Sequence, residues 1–288
     1  MRGRSSGTAA WDARLSTADW LALRESADAS ARAAELVEQF RAHLSAPARP
    51  GAPSVVRDLG CGTGSMGRWL AGRLPGPQLW ILHDRDPGLL PRAGAAMPGV
   101  AADGAPVTMR TQQGDLTDLR AADLAGTSLV TASAVLDLLT AEEVDGLAAA
   151  CVEAGCAALL TLSVAGRVEL APVDPLDAEF AAAFGTHQRR PTGGRWLLGP
   201  DAGPVAIAAF DRRGAAVTSR PSPWRLGADQ TELAQEWLRG WIGSACEQQP
   251  GLGQHAGAYL RRRLDACTAG ELRVVVGHVD VLALPAST

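Results

Sequence analysis

The stretch Val55-Val56-Arg57-Asp58-Leu59-Gly60-Cys61-Gly62-Thr63-Gly64 runs from a short apolar strand, through an acidic residue, into a loop with glycine at every second position. Such a loop lets a ligand lie against bare backbone, because no Cβ intervenes and positive φ angles cost little. The residues that follow, Ser65 to Leu74, place Met66, Trp69, Leu70 and Leu74 on one face, which predicts a helix. Strand, glycine loop and helix in this order predict a doubly wound α/β sheet with a ligand crevice at the carboxyl ends of its strands. Asp58 enters the glycine turn where a dinucleotide would bring its pyrophosphate, and two like charges there repel. A ligand carrying an ammonium and a sulfonium would be attracted instead.

Three later segments continue the pattern. Gln78 to Asp84 is a second apolar strand ending in an acid, followed by Arg85-Asp86-Pro87. A carboxylate at Asp84 can hold both hydroxyls of a ribose. Val107 to Gln112 is a third strand leading into Gln113-Gly114-Asp115-Leu116, and Ser128 to Leu136 is a fourth. In order and spacing, these segments resemble the motifs of the class I S-adenosylmethionine (SAM)-dependent methyltransferases. The resemblance implies a Rossmann-like, mostly parallel seven-stranded α/β sheet whose last strand inserts antiparallel. It implies SAM as cofactor, with Asp58, Gly60, Cys61, Gly62, Thr63 and Gly64 forming its glycine loop. Asp84 and Arg85 would take the ribose side, Gly114, Asp115 and Leu116 the adenine, and Ser133 the methionine part. The match is firm over roughly residues 54–164 and loose over the C-terminal strands.

Other readings stay open. Gly62-Thr63-Gly64-Ser65-Met66-Gly67 also fits G-x-G-x-x-G, the dinucleotide pattern, so an NAD(P)-dependent oxidoreductase is a competing enzyme class. It leaves Asp58 unexplained and lacks a Tyr-x-x-x-Lys pair, since the chain has no lysine. An RNA or protein methyltransferase and a non-catalytic SAM binder are further alternatives. A net charge of −4 disfavours nucleic acid as a partner, and a small-molecule methyl acceptor is expected.

Composition sets the frame. A chain of 288 residues with 47% hydrophobic residues buries a large core as one decorated domain. No apolar run is long enough to span a bilayer, and Met1 to Ala10 lacks a signal core, so a cytoplasmic protein with a disordered leader is expected. Arginine as the only strongly basic residue, beside abundant alanine, glycine and proline, points to a GC-rich bacterial genome. The five cysteines lack metal-ligand spacing and read as reduced and buried, and no metal site is expected.

The expected organisation is a leader and helical lid over residues 1–50, then a methyltransferase domain over 51–288, with 167–270 carrying substrate-side elaborations. Helices are expected over 17–25 and 29–44. Arg24 and Arg32 are candidates for a cofactor carboxylate, salt bridges to Glu25, Asp28 or Glu35 being the plainer explanation. Pro47, Pro50, Gly51 and Pro53 mark a turn. Thr140 to Glu143 is a capping box, and Ala157 to Val164 is the fifth strand. Beyond it, 175–185 reads as a helix, 186–191 as a polar loop, 201–213 as a helix, and 215–226 as an edge strand because of Pro221 and Pro223. Helices are expected over 230–246, capped by Asp229, and over 255–267; 271–284 is the last strand, with a bulge at Gly277.

Two residues are candidates for chemistry on the acceptor. His187, in the polar loop beside Gln188, Arg189 and Arg190, could serve as a base; an exposed loop histidine is the alternative. Asp137, after the fourth strand, could act as a base or orient an amine; a helix-start acid is its alternative. Trp196, Trp224, Trp237 and Trp241 could line an apolar acceptor pocket, although Trp237 and Trp241 share a helix face suited to core packing.

Overall fold

The computed structural model describes residues 15–44 and 52–286. The expected leader and the turn residues Pro47, Pro50 and Gly51 lie outside the described residues. Two helices come first, α1 (Thr17–Ala31) and α2 (Ala34–Leu44). The sheet then builds through β1 (Ser54–Leu59), α3 (Ser65–Leu70), β2 (Gln78–Asp84), α4 (Leu90–Ala95), β3 (Val107–Gln113), β4 (Leu129–Ser133), α5 (Ala141–Glu153) and β5 (Ala157–Ala171). Next come α6 (Asp177–His187), a two-residue-per-strand hairpin of β6 (Pro191–Thr192) and β7 (Arg195–Trp196), and α7 (Ala202–Asp211). The chain closes with β8 (Ala216–Pro221), β9 (Trp224–Leu226), α8 (Thr231–Gln248), α9 (Gly253–Thr268) and β10 (Arg273–Leu284).

The main sheet has the order β3-β2-β1-β4-β5-β10-β8, with β9 also pairing β10. Strands β1 to β5 are mutually parallel, while β10 runs antiparallel to β5 and to β8. Counting β8 and β9 as one interrupted position, this is the order 3-2-1-4-5-7-6 with an antiparallel last strand, the arrangement expected of the class I methyltransferase fold. The order reverses between β1 and β4, which leaves a crevice beyond their carboxyl ends.

Alternating side chains of the central strands feed two cores on opposite faces of the sheet. Leu129, Ala157, Leu159 and Leu282 join Phe40, Trp69 and Trp80 on one face. Val130, Ala158, Leu160 and Val281 join Leu147, Ala206 and Phe210 on the other. A third core belongs to the elaboration, where Phe180, Leu238, Trp241, Ile242 and Tyr259 pack with Val274 and Val276.

Several boundaries differ from expectation, each for a tertiary reason. The break between the first two helices falls at Arg32 and Ala33, not near Asp28, because the Ala33 N–H donates to the Asp280 carboxylate of β10 at 2.9 Å. Strand β5 runs past Val164 to Ala171: it leaves β4 after Thr161 and continues on β10 alone. Helix α6 continues to His187 in place of the expected loop, since Phe184 and His187 both pack toward α8. Residues 191–196 form the β6–β7 hairpin, its turn made by Gly193 and Gly194 in left-handed conformation. Asp229 does not cap α8; it sits in a 3-10 turn, and the capping position, Gln230, makes no side-chain capping bond. The capping box of Thr140 and Glu143 is formed in both directions. The proline-ended β8 is an edge strand, and β10 shifts register between Val276 and His278, at Gly277.

Candidate functional site

A cavity of about 600 Å³ opens over the carboxyl ends of β1, β2 and β4. It is walled by Asp58, Gly60, Cys61, Gly62 and Thr63 of the glycine loop, by Asp84 and Arg85, by Gly114, Asp115 and Leu116, and by Ser133. Gly64 alone among the expected cofactor residues does not reach it. That glycine, at φ +87°, begins α3, and its Cβ would meet the Ala93 backbone at 3.1 Å.

The loop's shape follows from its backbone. Gly60 and Gly62 are left-handed at φ +62° and +54°. Added Cβ atoms would come within 2.9 Å of Val135 and of Leu21 respectively, so glycine is required by both conformation and space. Asp84 holds the loop from below: one carboxylate oxygen accepts the Gly62 N–H at 2.8 Å and the other the Asp86 N–H at 2.9 Å. Gly114 is constrained by space alone, since a Cβ there would meet the His83 ring at 2.6 Å.

Asp58 is fully buried at the end of β1. One of its oxygens accepts the Thr131 hydroxyl at 2.7 Å; the other, Oδ2, has no hydrogen-bond partner. Burial pushes its carboxyl up to about 7, against the opposing pull of the Thr131 bond and of Arg32, with Asp84 adding a further upward push. Asp115 is exposed and capped by its own turn: the Thr117 N–H bonds to it and holds its carboxyl below the usual range.

The first helix closes the cavity from above through Thr17, Leu21, Arg24 and Asp28. It is fastened to the loop by Arg68, which pairs with Glu25 and donates to the Thr63 carbonyl at 2.6 Å. Arg24 pairs with Asp28 at 2.9 Å, the salt bridge foreseen as its plainer role. Arg32 donates to the hydroxyls of Ser65 and Ser133, at 3.1 Å each, and its Nε and Nη1 lack partners. Two further wall residues, Glu143 of the capping box and Arg195, form an ion pair at the rim, and no motif announced Arg195. The hairpin that carries Arg195 came from a segment with only a Gly-Gly pair as signal.

A smaller cavity of about 150 Å³ adjoins the first, sharing Arg24 and Ala134 with it. Trp20, Phe184, Trp224 and Trp237 line it together with Asp137, Gln188 and His278. Two non-glycine residues on its wall, Ala134 at φ +54° and Leu162 at φ +56°, are left-handed, a conformation costing such residues about 1–2 kcal/mol. Backbone bonds hold both: the Ala134 N–H to the Thr161 carbonyl at 2.9 Å, and the Leu162 N–H to Asp280 at 2.7 Å. Strain held this firmly is characteristic of functional sites.

The two acceptor-side candidates part company here. Asp137 lines the smaller cavity, and burial pushes its carboxyl upward, with Arg24 as the opposing charge. His187 lines neither cavity. It ends α6 with Nδ1 at 2.7 Å from the Ser244 carbonyl, stacks near Phe184, and is held below the usual histidine range by burial. The expectation of a loop base is therefore corrected to a helix-packing histidine. Trp224 and Trp237 line the smaller cavity, whereas Trp241 is core and Trp196 lies 70% exposed on the hairpin. Cys246 is half-buried and the other four cysteines are buried. Among the described residues no helix is long and apolar enough to cross a membrane.

No family model and no curated protein matches the chain. Solved structures do. The cyclopropane synthase MmaA2 from Mycobacterium tuberculosis is 12% identical, with 87% of this chain and 83% of that one covered and a TM-score of 0.43. A SAM-dependent methyltransferase from Geobacter sulfurreducens in complex with S-adenosyl-L-homocysteine is 18% identical over 92% and 97% of the two chains, TM-score 0.40. A putative sarcosine dimethylglycine methyltransferase from Galdieria sulphuraria is 11% identical over 88% and 86%, TM-score 0.39.

Proposed function

We propose that this protein is a SAM-dependent methyltransferase acting on a small molecule held in the smaller cavity. The observation that carries this reading is Asp58: a fully buried carboxylate with one oxygen uncommitted, on the wall of a glycine-loop cavity. A pyrophosphate there would meet a buried like charge, whereas an ammonium or sulfonium would relieve the cost of burying an anion.

The surrounding residues fit such a ligand. Gly60 and Gly62 leave bare backbone on the cavity wall, Asp84 stands at the end of β2 where ribose hydroxyls are held, and Gly114 to Leu116 stand at the end of β3 for the adenine. Bound there, the sulfonium would supply an electrophilic methyl group. Helix α1 would exclude water from above, and the two ligands would meet in direct contact beside Arg24 and Ala134, which line both cavities. Domain 51–288 then acts as the catalytic unit, with residues 167–270 shaping the acceptor side.

Calorimetric titration with S-adenosylhomocysteine, SAM and NAD tests this, with Asp84→Ala as control. Micromolar binding of both sulfur ligands (about −8 kcal/mol), absent for NAD and weakened in the variant, is expected. Binding of NAD without either sulfur ligand would return the glycine loop to dinucleotide service and end the methyltransferase reading.

A further inference from the structure

The smaller cavity carries more information than its position. A space of about 150 Å³ accepts a single benzene-sized ring. Its walls are aromatic, yet it is not apolar throughout. The Oε1 atom of Gln188 and the Nδ1 atom of His278 are both buried without a hydrogen-bond partner. His278 is only 5% exposed. Both atoms are sealed from solvent in the free protein, and buried polar atoms left single cost about 1–3 kcal/mol each, so a ligand toward which these side chains turn gains that much.

The uncommitted groups share a sense. The amide oxygen of Gln188 accepts hydrogen bonds, and so does the carboxylate of Asp137. His278 is held neutral, its ring pushed down to about 4 by burial and by Arg24, and a neutral imidazole keeps one accepting nitrogen. The cations lining the cavity are already matched: Arg24 pairs with Asp28, and Arg167 pairs with Glu169 at the surface. Asp137 is the lining acid with no such ion pair. The cavity's lining therefore holds accepting side chains, one acid outside any ion pair and indole walls. Those walls suit a cation, as the fold itself demonstrates: the Arg24 guanidinium rests over Trp224, 4.8 Å from the ring centre.

Building on the methyl-donor reading of the larger cavity, we propose that the smaller cavity is the site of a compact basic amine, its ammonium directed to Asp137 and Gln188 and its carbon frame enclosed by Trp20, Phe184, Trp224 and Trp237. Asp137 then has a second use. An ammonium has no free lone pair, so the nitrogen must lose a proton before it can accept a methyl group. The carboxylate oxygen of Asp137 takes that proton, and burial raises that carboxyl's affinity for it.

Three probes of one size and different charge test the site: benzylamine, benzyl alcohol and benzoate. Each is titrated at pH 7.5, with and without saturating S-adenosylhomocysteine, following tryptophan fluorescence. Benzylamine is expected to bind at least about tenfold more tightly than either of the others. Asp137→Asn should bring its preference over benzyl alcohol to within about twofold, while S-adenosylhomocysteine affinity stays at the unsubstituted value and certifies the fold. Gln188→Leu should weaken benzylamine by a smaller factor, since it removes an acceptor and leaves the charge. Equal or better binding of benzoate, an amine preference that survives Asp137→Asn, or no amine binding under either condition would overturn the proposal. Amine preference in a protein that ignores S-adenosylhomocysteine would remove the methyl donor and leave the amine site standing.

Discussion

The two cavities share a wall but are built by opposite means. The larger one is made of backbone: the ends of β1 to β4, two left-handed glycines, and acids that hold N–H groups in place. The smaller one is made of side chains from α1, the end of β4, β5, α6, β9, α8 and β10, brought together only by the fold. A ligand read by backbone can be supplied by any sequence that keeps the glycines and the acids. A ligand read by distant side chains depends on the third core, which sets where Trp224 and Trp237 stand.

The largest effect that would sharpen this contrast lies in that core. Trp241 is fully buried against Phe180, Tyr259 and the stacked Trp237. Trp241→Ala is expected to cost about 3–5 kcal/mol of stability, seen as a lower melting temperature. S-adenosylhomocysteine affinity of the folded fraction should change by no more than about twofold. A parallel loss of that affinity would mean that the two halves do not separate.

A smaller effect is expected on the backbone side, with the opposite signature. Gly62→Ala forces a Cβ into left-handed backbone, about 1–2 kcal/mol, and against Leu21 of the first helix. Cofactor affinity should fall on the order of tenfold by calorimetry, with benzylamine binding in the absence of cofactor retained. If both ligands weaken equally, Leu21 transmits the strain through α1 and the contrast is blurred.

The subtlest test concerns pH. Asp58 titrates at about 7 in the free protein, well above its unfolded value. The sign follows from that direction: its burial favours the fold below the ordinary carboxylate range, and this contribution is lost as pH rises through 7. Cationic ligands prefer the ionised form, so their affinity should improve by about tenfold between pH 6 and pH 8. Asp58→Asn should flatten that slope, and an unchanged slope would assign the pH dependence to another group.

These differences also explain what was legible in the sequence. Gly60 and Gly62 announce themselves because the left-handed turn demands them, while Asp58, Asp84 and Gly114 were legible through their places in motifs that resemble those of a known family. The parallel sheet was legible from the alternation of strands and helices, and the antiparallel last strand only through the family resemblance. Nothing local marks Trp20 and His278 as neighbours. His187 was misread because Gly185 looks like a helix stop, while packing on α8 carries the helix two residues further. Arg195 was missed because a two-residue-per-strand hairpin has almost no sequence signature.

Asp28 has a consequence of a different kind. One of its oxygens accepts the Trp224 indole N–H at 2.9 Å, and the same carboxylate grips Arg24, so one residue of the larger cavity fixes two residues that line the smaller. For an evolving lineage this divides the chain into what can drift and what cannot. Trp20, Phe184, Gln188 and Trp237 can be exchanged to admit a new acceptor without touching the donor's half. Asp28 has no such latitude, because its loss alters both chambers in a single mutational step.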